Sequence, residues 1–248
     1  MSDRRARVIY LGHSGFLIET VGNVLVFDYY MNEPRPGAKG LAGGVVTADA
    51  LAALGKPIYV FVSHAHADHF NPVIYGWKRP DLRIRYIVSS DVDWREDNHR
   101  LGPGERFSDG DIRVHAFDST DEGVSFRVEA DGFSFFHAGD LNWWHWRSQS
   151  TPEEIYESER AFHAAVAPLA GEPVDVAFFP VDPRMGEYYY AGASYYIEEV
   201  KPRVFFPMHF QEEYEITDHF ARLGRSRHTQ VMQVAQRGQE FWVDAYAR

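Results

Sequence analysis

With 248 residues, 45% of them hydrophobic and 25% charged, the chain is composed like an ordinary folded domain that can bury a sizeable core without covalent staples. It has no cysteine, which excludes disulfides, thiolate nucleophiles, cysteine-ligated zinc and iron–sulfur clusters. A net charge of −11 speaks against nucleic acid as a partner, because phosphate binding needs clustered Lys and Arg.

The polar, basic segment 1–7 is not followed by the apolar stretch of a secretory signal. The longest apolar runs, such as 58–62, fall far short of the ~20 residues of a membrane span. The expectation is a cytoplasmic protein with no membrane partner, and neither repeats nor a linker divides it, so residues 1–248 read as one domain.

Runs rich in Val, Ile, Phe and Tyr predict strands over 8–11, 16–19, 24–28, 58–63, 84–89, 112–117, 124–129 and 133–137. Further strands are expected over 174–179, 203–207, 230–234 and 240–243. The stretch 32–44, punctuated by prolines and glycines, reads as a long loop. Helices are expected over 47–54, from about 151 to 167, over 191–200 and over 217–223. The second opens on Thr151-Pro152-Glu153-Glu154, with a hydroxyl cap, proline in the first turn and acids favoured by the dipole. Many strands with few helices suggest two packed sheets with helices outside. Lys78, Arg79, Arg83 and Arg85 form a local basic patch that reads as a solvated face.

The chemistry concentrates in Ser63-His64-Ala65-His66-Ala67-Asp68-His69-Phe70-Asn71-Pro72, directly after the apolar run 58–62. Two residues apart in extended chain, His64 and His66 point to one side and can face one metal. Asp68 and His69 sit where the chain is expected to turn into a helix, with Pro72 near its first turn, and can present ligands to a second metal. A chance H-x-H-x-D-H in a chain of this composition has odds of roughly two in a thousand.

This motif at the end of a buried strand resembles the metallo-β-lactamase-fold hydrolase superfamily. Gly12-His13-Ser14-Gly15 and the strand to Asp28 resemble its opening, Phe136-His137-Ala138-Gly139-Asp140 its bridging-carboxylate strand end, and Pro207-Met208-His209 its last histidine. The likeness spans about residues 7 to 243 and is nearest the branch of ascorbate-6-phosphate lactonase-like and N-acylphosphatidylethanolamine phospholipase D-like proteins. It implies an α+β fold, a four-layer αββα sandwich of two mixed sheets with helices outside.

The resemblance also implies the ligands: His64 and His66 at one metal, Asp68, His69 and His209 at the other, Asp140 between them. Relatives place a histidine where this chain has Asp118, so Asp118 is expected to complete the first site, with His115 as the alternative. Asp28, His13 and His137 are expected to back the ligand imidazoles from outside. Two divalent ions, zinc or manganese, with iron also admitted by a nitrogen and oxygen donor set, would share a water and make hydroxide near neutral pH. Asp68 or Asp140 would pass a proton to the leaving group. Trp143, Trp144, Arg184 and Tyr189 are expected to wall the substrate pocket. The implied function is hydrolysis of a small anionic ester or lactone, with a phosphodiesterase or a non-catalytic metal binder altered at Asp118 as alternatives. Homo-oligomerisation is left open.

Overall fold

The structure is a computed structural model that describes residues 5–223 and 226–245, so the first four residues of the basic N-terminal segment lie outside it. In chain order the strands are β1 (Arg5–Gly12), β2 (Gly15–Glu19), β3 (Val24–Phe27), β4 (Ile58–Val62), β5 (Ile84–Ser89), β6 (Asn98–Leu101) and β7 (Arg106–Ser108). They continue as β8 (Ile112–Phe117), β9 (Ser125–Ala130), β10 (Phe133–His137), β11 (Val176–Pro180), β12 (Val204–Met208), β13 (Gln230–Val231) and β14 (Glu240–Asp244). The helices are α1 (Ala48–Leu54), α2 (Pro152–Val166), α3 (Ala191–Val200) and α4 (Glu215–Arg222).

The strands form two seven-stranded sheets, ordered β14-β1-β2-β3-β4-β5-β6 and β13-β12-β11-β10-β9-β8-β7. In β3 and β4 successive side chains alternate between two cores, as the two-residue period of a strand requires. Leu25, Phe27, Tyr59 and Phe61 point between the sheets, while Val24, Val26, Ile58, Val60 and Val62 point outward against Leu51 of α1, Ile74 and Trp77. Phenylalanines close the inter-sheet layer, with Phe27 stacked on Phe61 at 4.5 Å and Phe16 meeting Phe178 at 4.4 Å. On the far side of the second sheet lie Phe162 of α2 and Tyr196 of α3. The fold is therefore the α+β, four-layer arrangement of the metallo-β-lactamase fold.

Strand direction positions the site. The pairs β3–β4–β5–β6 and β10–β11–β12–β13 are parallel. Their carboxyl ends, and the β1–β2 and β8–β9 turns, come out at one edge, the usual place for a site in a sheet of this kind.

Three expectations differ from the structure. The edge strands β6 (NHRL) and β7 (RFS) are short and polar, so no apolar alternation announces them. The segment after Asp68 does not enter an α-helix: His69 and Phe70 turn back through amide bonds to the His66 carbonyl, and a 3₁₀ turn, Pro72–Trp77, follows under an Asn71 cap. The last predicted strand before β14 ends at Val231, three residues early. The α2 start has the full capping box of Thr151 and Glu154. The loop 32–44 is fastened by the buried Arg237, whose guanidinium donates to the carbonyls of Leu11, Glu33, Met31 and Gly44. Of the basic patch, Lys78 and Arg79 are paired with exposed aspartates and Arg85 with the largely buried Asp109. Among the described residues no helix is long and apolar enough to cross a membrane.

Candidate metal centre

Every chemically informative side chain leaves the end of a strand at this edge. Asp28 follows β3, Ser63 and His64 follow β4, Asp140 follows β10, Asp182 follows β11 and His209 follows β12. Close approach of these ends needs glycine at two points. Gly139 sits at φ +59°, where a Cβ would lie 2.7 Å from that of Ser63; Gly123 sits at φ +77°, where a Cβ would lie 2.1 Å from the Ser63 carbonyl oxygen. Of the six non-glycine residues with positive φ among the described residues, three lie at this edge: His13, Asp28 and His209, at φ 52°, 42° and 63°. Such backbone costs about 1–3 kcal/mol each and persists only where the surroundings enforce it.

Two groups of donors form. His13, Asp68, His69 and His209 each offer an atom within 4.8 Å of the others, and so do His64, His66 and Asp140. Asp140 reaches both groups: its Oδ1 lies 3.1 Å from His69 Nε2 and 3.4 Å from His209 Nε2, its Oδ2 3.5 Å from His64 Nε2.

The outer nitrogens of three imidazoles are tied to oxygen. His69 Nδ1 donates to Asp28 Oδ2 at 2.7 Å, and His209 Nδ1 donates to Asp182 Oδ2 at 3.0 Å. His64 Nδ1 meets Ser63 Oγ at 2.9 Å, and that hydroxyl in turn donates to Asp28 Oδ2 at 2.6 Å. Each Nε2 lone pair is thereby aimed inward, the arrangement that outer partners impose on metal-binding histidines. The inward atoms His64 Nε2, His69 Nε2 and Asp140 Oδ1 are buried and have no hydrogen-bond partner among the described residues. Buried polar atoms are rarely left so; others are scattered through the described residues, but these three and both ring nitrogens of His13 lie together at this edge. Nitrogen and oxygen donors with orphaned lone pairs fit a divalent transition ion.

Electrostatics agrees. Burial opposes the charge of Asp140, but the surrounding His69 and His209 hold its carboxyl well below the ordinary range. Burial also pulls the His69 ring down, yet Asp140 and Asp28 outweigh it and push it up to about 10. His64 and His137 are lowered by burial. Asp28 and Asp140 thus make the surroundings of His69 favourable to positive charge.

The sequence-predicted residues are placed as follows. His64, His66, Asp68, His69, Asp140 and His209 are brought together. Asp28 lies behind His69 and accepts the Ser63 amide at 2.8 Å. His137 lies deeper: its Nε2 donates to the Ser14 carbonyl at 2.8 Å, and its ring stacks on Phe27 at 4.9 Å, so it props Asp28 from the core and backs no ligand imidazole directly. His13, expected outside the ligands, is instead inside a donor group. Asp118 is in neither group; it is exposed and its Oδ1 accepts its neighbour Ser119's amide at 3.0 Å. His115 is also outside, its ring against Phe117 at 4.0 Å. The acid at this edge is Glu122, whose Oε2 lies 3.4 Å from His66 Nε2. Gly123, wedged under Ser63, fixes that approach.

Of the pocket residues, Trp144 stands at the centre, its ring 5.5 Å from that of His209 and its Nε1 donating to the Asp140 carbonyl at 3.0 Å. Arg184 is there too, gripping Asp182 and reaching within 3.5 Å of His209 Nδ1. Trp143 and Tyr189 pack against the core instead, Trp143 toward His163 of α2. Sequence reading missed Asp182, Ser63 and Glu122 as site residues. The signal for Asp182 was present, since Val181-Asp182-Pro183 ends a buried strand just as Phe27-Asp28 does. Trp146, Arg184, His145, Met185 and Tyr188 line a cavity of about 470 Å³ beside Arg184.

A family model described as a beta-lactamase superfamily domain matches residues 7–155. A UPF0173 metal-dependent hydrolase from Thermococcus kodakarensis is 26% identical over 221 residues, covering 82% of this chain and 84% of the relative. Among solved structures, the metallo hydrolase Igni18 from Ignicoccus hospitalis superposes with a TM-score of 0.64 at 16% identity, covering 98% of this chain and 100% of that one. CmlA, a diiron β-hydroxylase from Streptomyces venezuelae, superposes with a TM-score of 0.58 at 12% identity, covering 99% of this chain and 55% of that one.

Proposed function

The chain belongs to the beta-lactamase superfamily, and from that premise we propose that it is a dinuclear metal-dependent hydrolase acting on a small anionic ester or lactone. The observation that carries this reading is the convergence of buried, unpartnered donor atoms of His64, His69 and Asp140 between imidazoles already oriented from outside. His64, His66 and Asp140 would hold one ion; Asp68, His69 and His209 would hold the other, with Asp140 touching both. Two such ions lower the pKa of a shared water toward ~7 and polarise the oxygen of the bond to be cleaved.

The protein's own part is orientation, and it begins with the outer partners. Asp28 and Asp182 keep the His69 and His209 rings in one tautomer. Trp144 pins the Asp140 main chain, and with it the carboxylate between the two groups. Asp68, half exposed, and Asp140 are the carboxylates that would hand a proton to a leaving group.

Support for an anionic substrate comes from Arg184. Its Nε and Nη2 are spent on Asp182, which holds the guanidinium beside the donors, in the lining of that cavity and 5.7 Å from the Trp146 ring centroid. The nearest-branch resemblance supports a phosphorylated lactone within that class.

The test is metal content by mass spectrometry after reconstitution with zinc, manganese or iron, followed by turnover of a lactone and ester panel against bis(p-nitrophenyl) phosphate. Iron is included because CmlA is a diiron enzyme. Two ions per chain with metal-dependent lactone or ester turnover are expected. Preference for the phosphodiester would turn the assignment to a phosphodiesterase. Metal uptake without turnover would leave a non-catalytic metal binder, and fewer than about one ion per chain would count against the metal-dependent reading.

A further inference from the structure

His13 has the properties of a ligand and lacks those of a structural histidine. Its side chain is 3% exposed, yet neither ring nitrogen has a hydrogen-bond partner among the described residues. A histidine serving only the core donates from one nitrogen and accepts at the other, as His137 does between Ser14 and Gly139. His13 Nε2 lies 3.5 Å from Asp68 Oδ2, and its ring centroid is 4.1 Å from that of His209 and 5.4 Å from that of His69.

The backbone is committed to this placement. His13 is held at φ 52° in the β1–β2 turn, and its carbonyl accepts the amide of His209, itself at φ 63°. Two strained residues are thus tied together by their main chains, with their rings side by side over Asp68.

We propose that His13 is a direct ligand of the ion held by Asp68, His69 and His209, so that this position carries three imidazoles and fills before the His64–His66 position. This rests on the two-metal reading and refines it. The other position has only His64, His66 and the shared Asp140, with His66 45% exposed. The imidazole that the resemblance leads one to expect near Asp118 is absent there, while one additional imidazole stands across the centre.

The test uses the intact chain with one equivalent of Co(II). Counting coordinated imidazoles by X-ray absorption or pulsed electron resonance is expected to give three. A count of two would overturn the proposal, because the first ion would then sit without His13 or at His64–His66. The variant His13→Asn keeps a side chain that tolerates the left-handed backbone. It is expected to weaken the tighter class in a chelator competition by at least about 100-fold, since outer partners alone cost 10–100-fold. The Co(II) absorption of the first equivalent should change with it. An affinity within threefold of wild type, or an unchanged spectrum, would assign His13 to substrate contact or to packing. If the parent chain bound no Co(II) at all, the two-metal reading itself would fall, which is a separate result.

Discussion

On one side of Asp140, the rings of His69 and His209 are backed by carboxylates that are themselves buried, Asp28 and Asp182, and His13 closes the layer above them. On the other side, His64 leans on the Ser63 hydroxyl, and His66 faces Glu122, whose side chain is 59% exposed. The contrast teaches how one fold can bury the outer partners on one side of a donor cluster and leave an outer contact of the other side at the mouth. Buried charge pairs act in a low dielectric and hold geometry firmly, whereas an exposed contact is screened and contributes about 0–1 kcal/mol.

Substitutions can break that comparison, beginning with the group both halves share. Asp140→Asn should lower hydrolytic turnover by about 10²–10⁴-fold, the range for a group acting in the chemistry, and weaken both metal equivalents together. Loss of one equivalent alone would show that Asp140 serves a single half.

Next come the outer partners. Asp182→Asn and Asp28→Asn should each weaken metal binding by about 10–100-fold. Glu122→Gln, on the exposed side, should cost less than about fivefold by the same chelator competition. Equal losses on the two sides would erase the distinction between a sealed and an open half.

Acid titration of the metal-free protein reads the buried imidazoles, His13, His64 and His137, whose rings burial lowers. Burial lowers the His13 ring to about 4, with Asp68 only partly compensating. In the unfolded chain a histidine titrates near 6.5, so protons favour unfolding below that pH. His13 therefore contributes stability that is fully present above pH 6.5 and lost as the pH falls through 4, up to about 3 kcal/mol at 1.36 kcal/mol per pKa unit. His69, pushed up to about 10, has the opposite sign, its contribution being present below 6.5 and lost as the pH rises through 10. Denaturant midpoints should fall on both sides of neutrality, and His13→Asn should flatten the acid limb. A wild-type acid limb already flat between pH 6.5 and 4 would contradict the burial of an unpartnered ring.

The smallest effect is expected at Asp118. Its carboxylate is exposed and returns to its own loop, so Asp118→Asn should leave metal content and turnover within about twofold. A larger loss would return Asp118 to the centre.

Most of the fold was legible because it is written in short apolar runs. β3, β4, β8 and β10 alternate or run apolar and end in turn residues, and the α2 cap is a local signal of four residues. β6 and β7 were not legible because polar edge strands are defined by the neighbour they pair with. The site divides in the same way. His64, His66, Asp68 and His69 lie within six residues and announce themselves, while Asp140 and His209 needed the family pattern. Glu122 depends on which loops the sheets bring together, and no spacing encodes that, whereas Asp182 carries the same strand-end signal as Asp28. Asp118, expected from a gapless alignment, stands in neither donor group, and the exposed acid beside His66 is Glu122. His13 was seen as near the centre, but its place among the donors depends on β1 and β12 meeting through main-chain bonds between residues 13 and 209.

The most direct test of the whole account is anomalous diffraction from crystals of the metal-loaded protein, collected at the absorption edge of the ion supplied. Two peaks flanking the Asp140 carboxylate are predicted, one against His64 and His66 and one against His13, Asp68, His69 and His209. A map with no ordered ion in contact with Asp140 would contradict it.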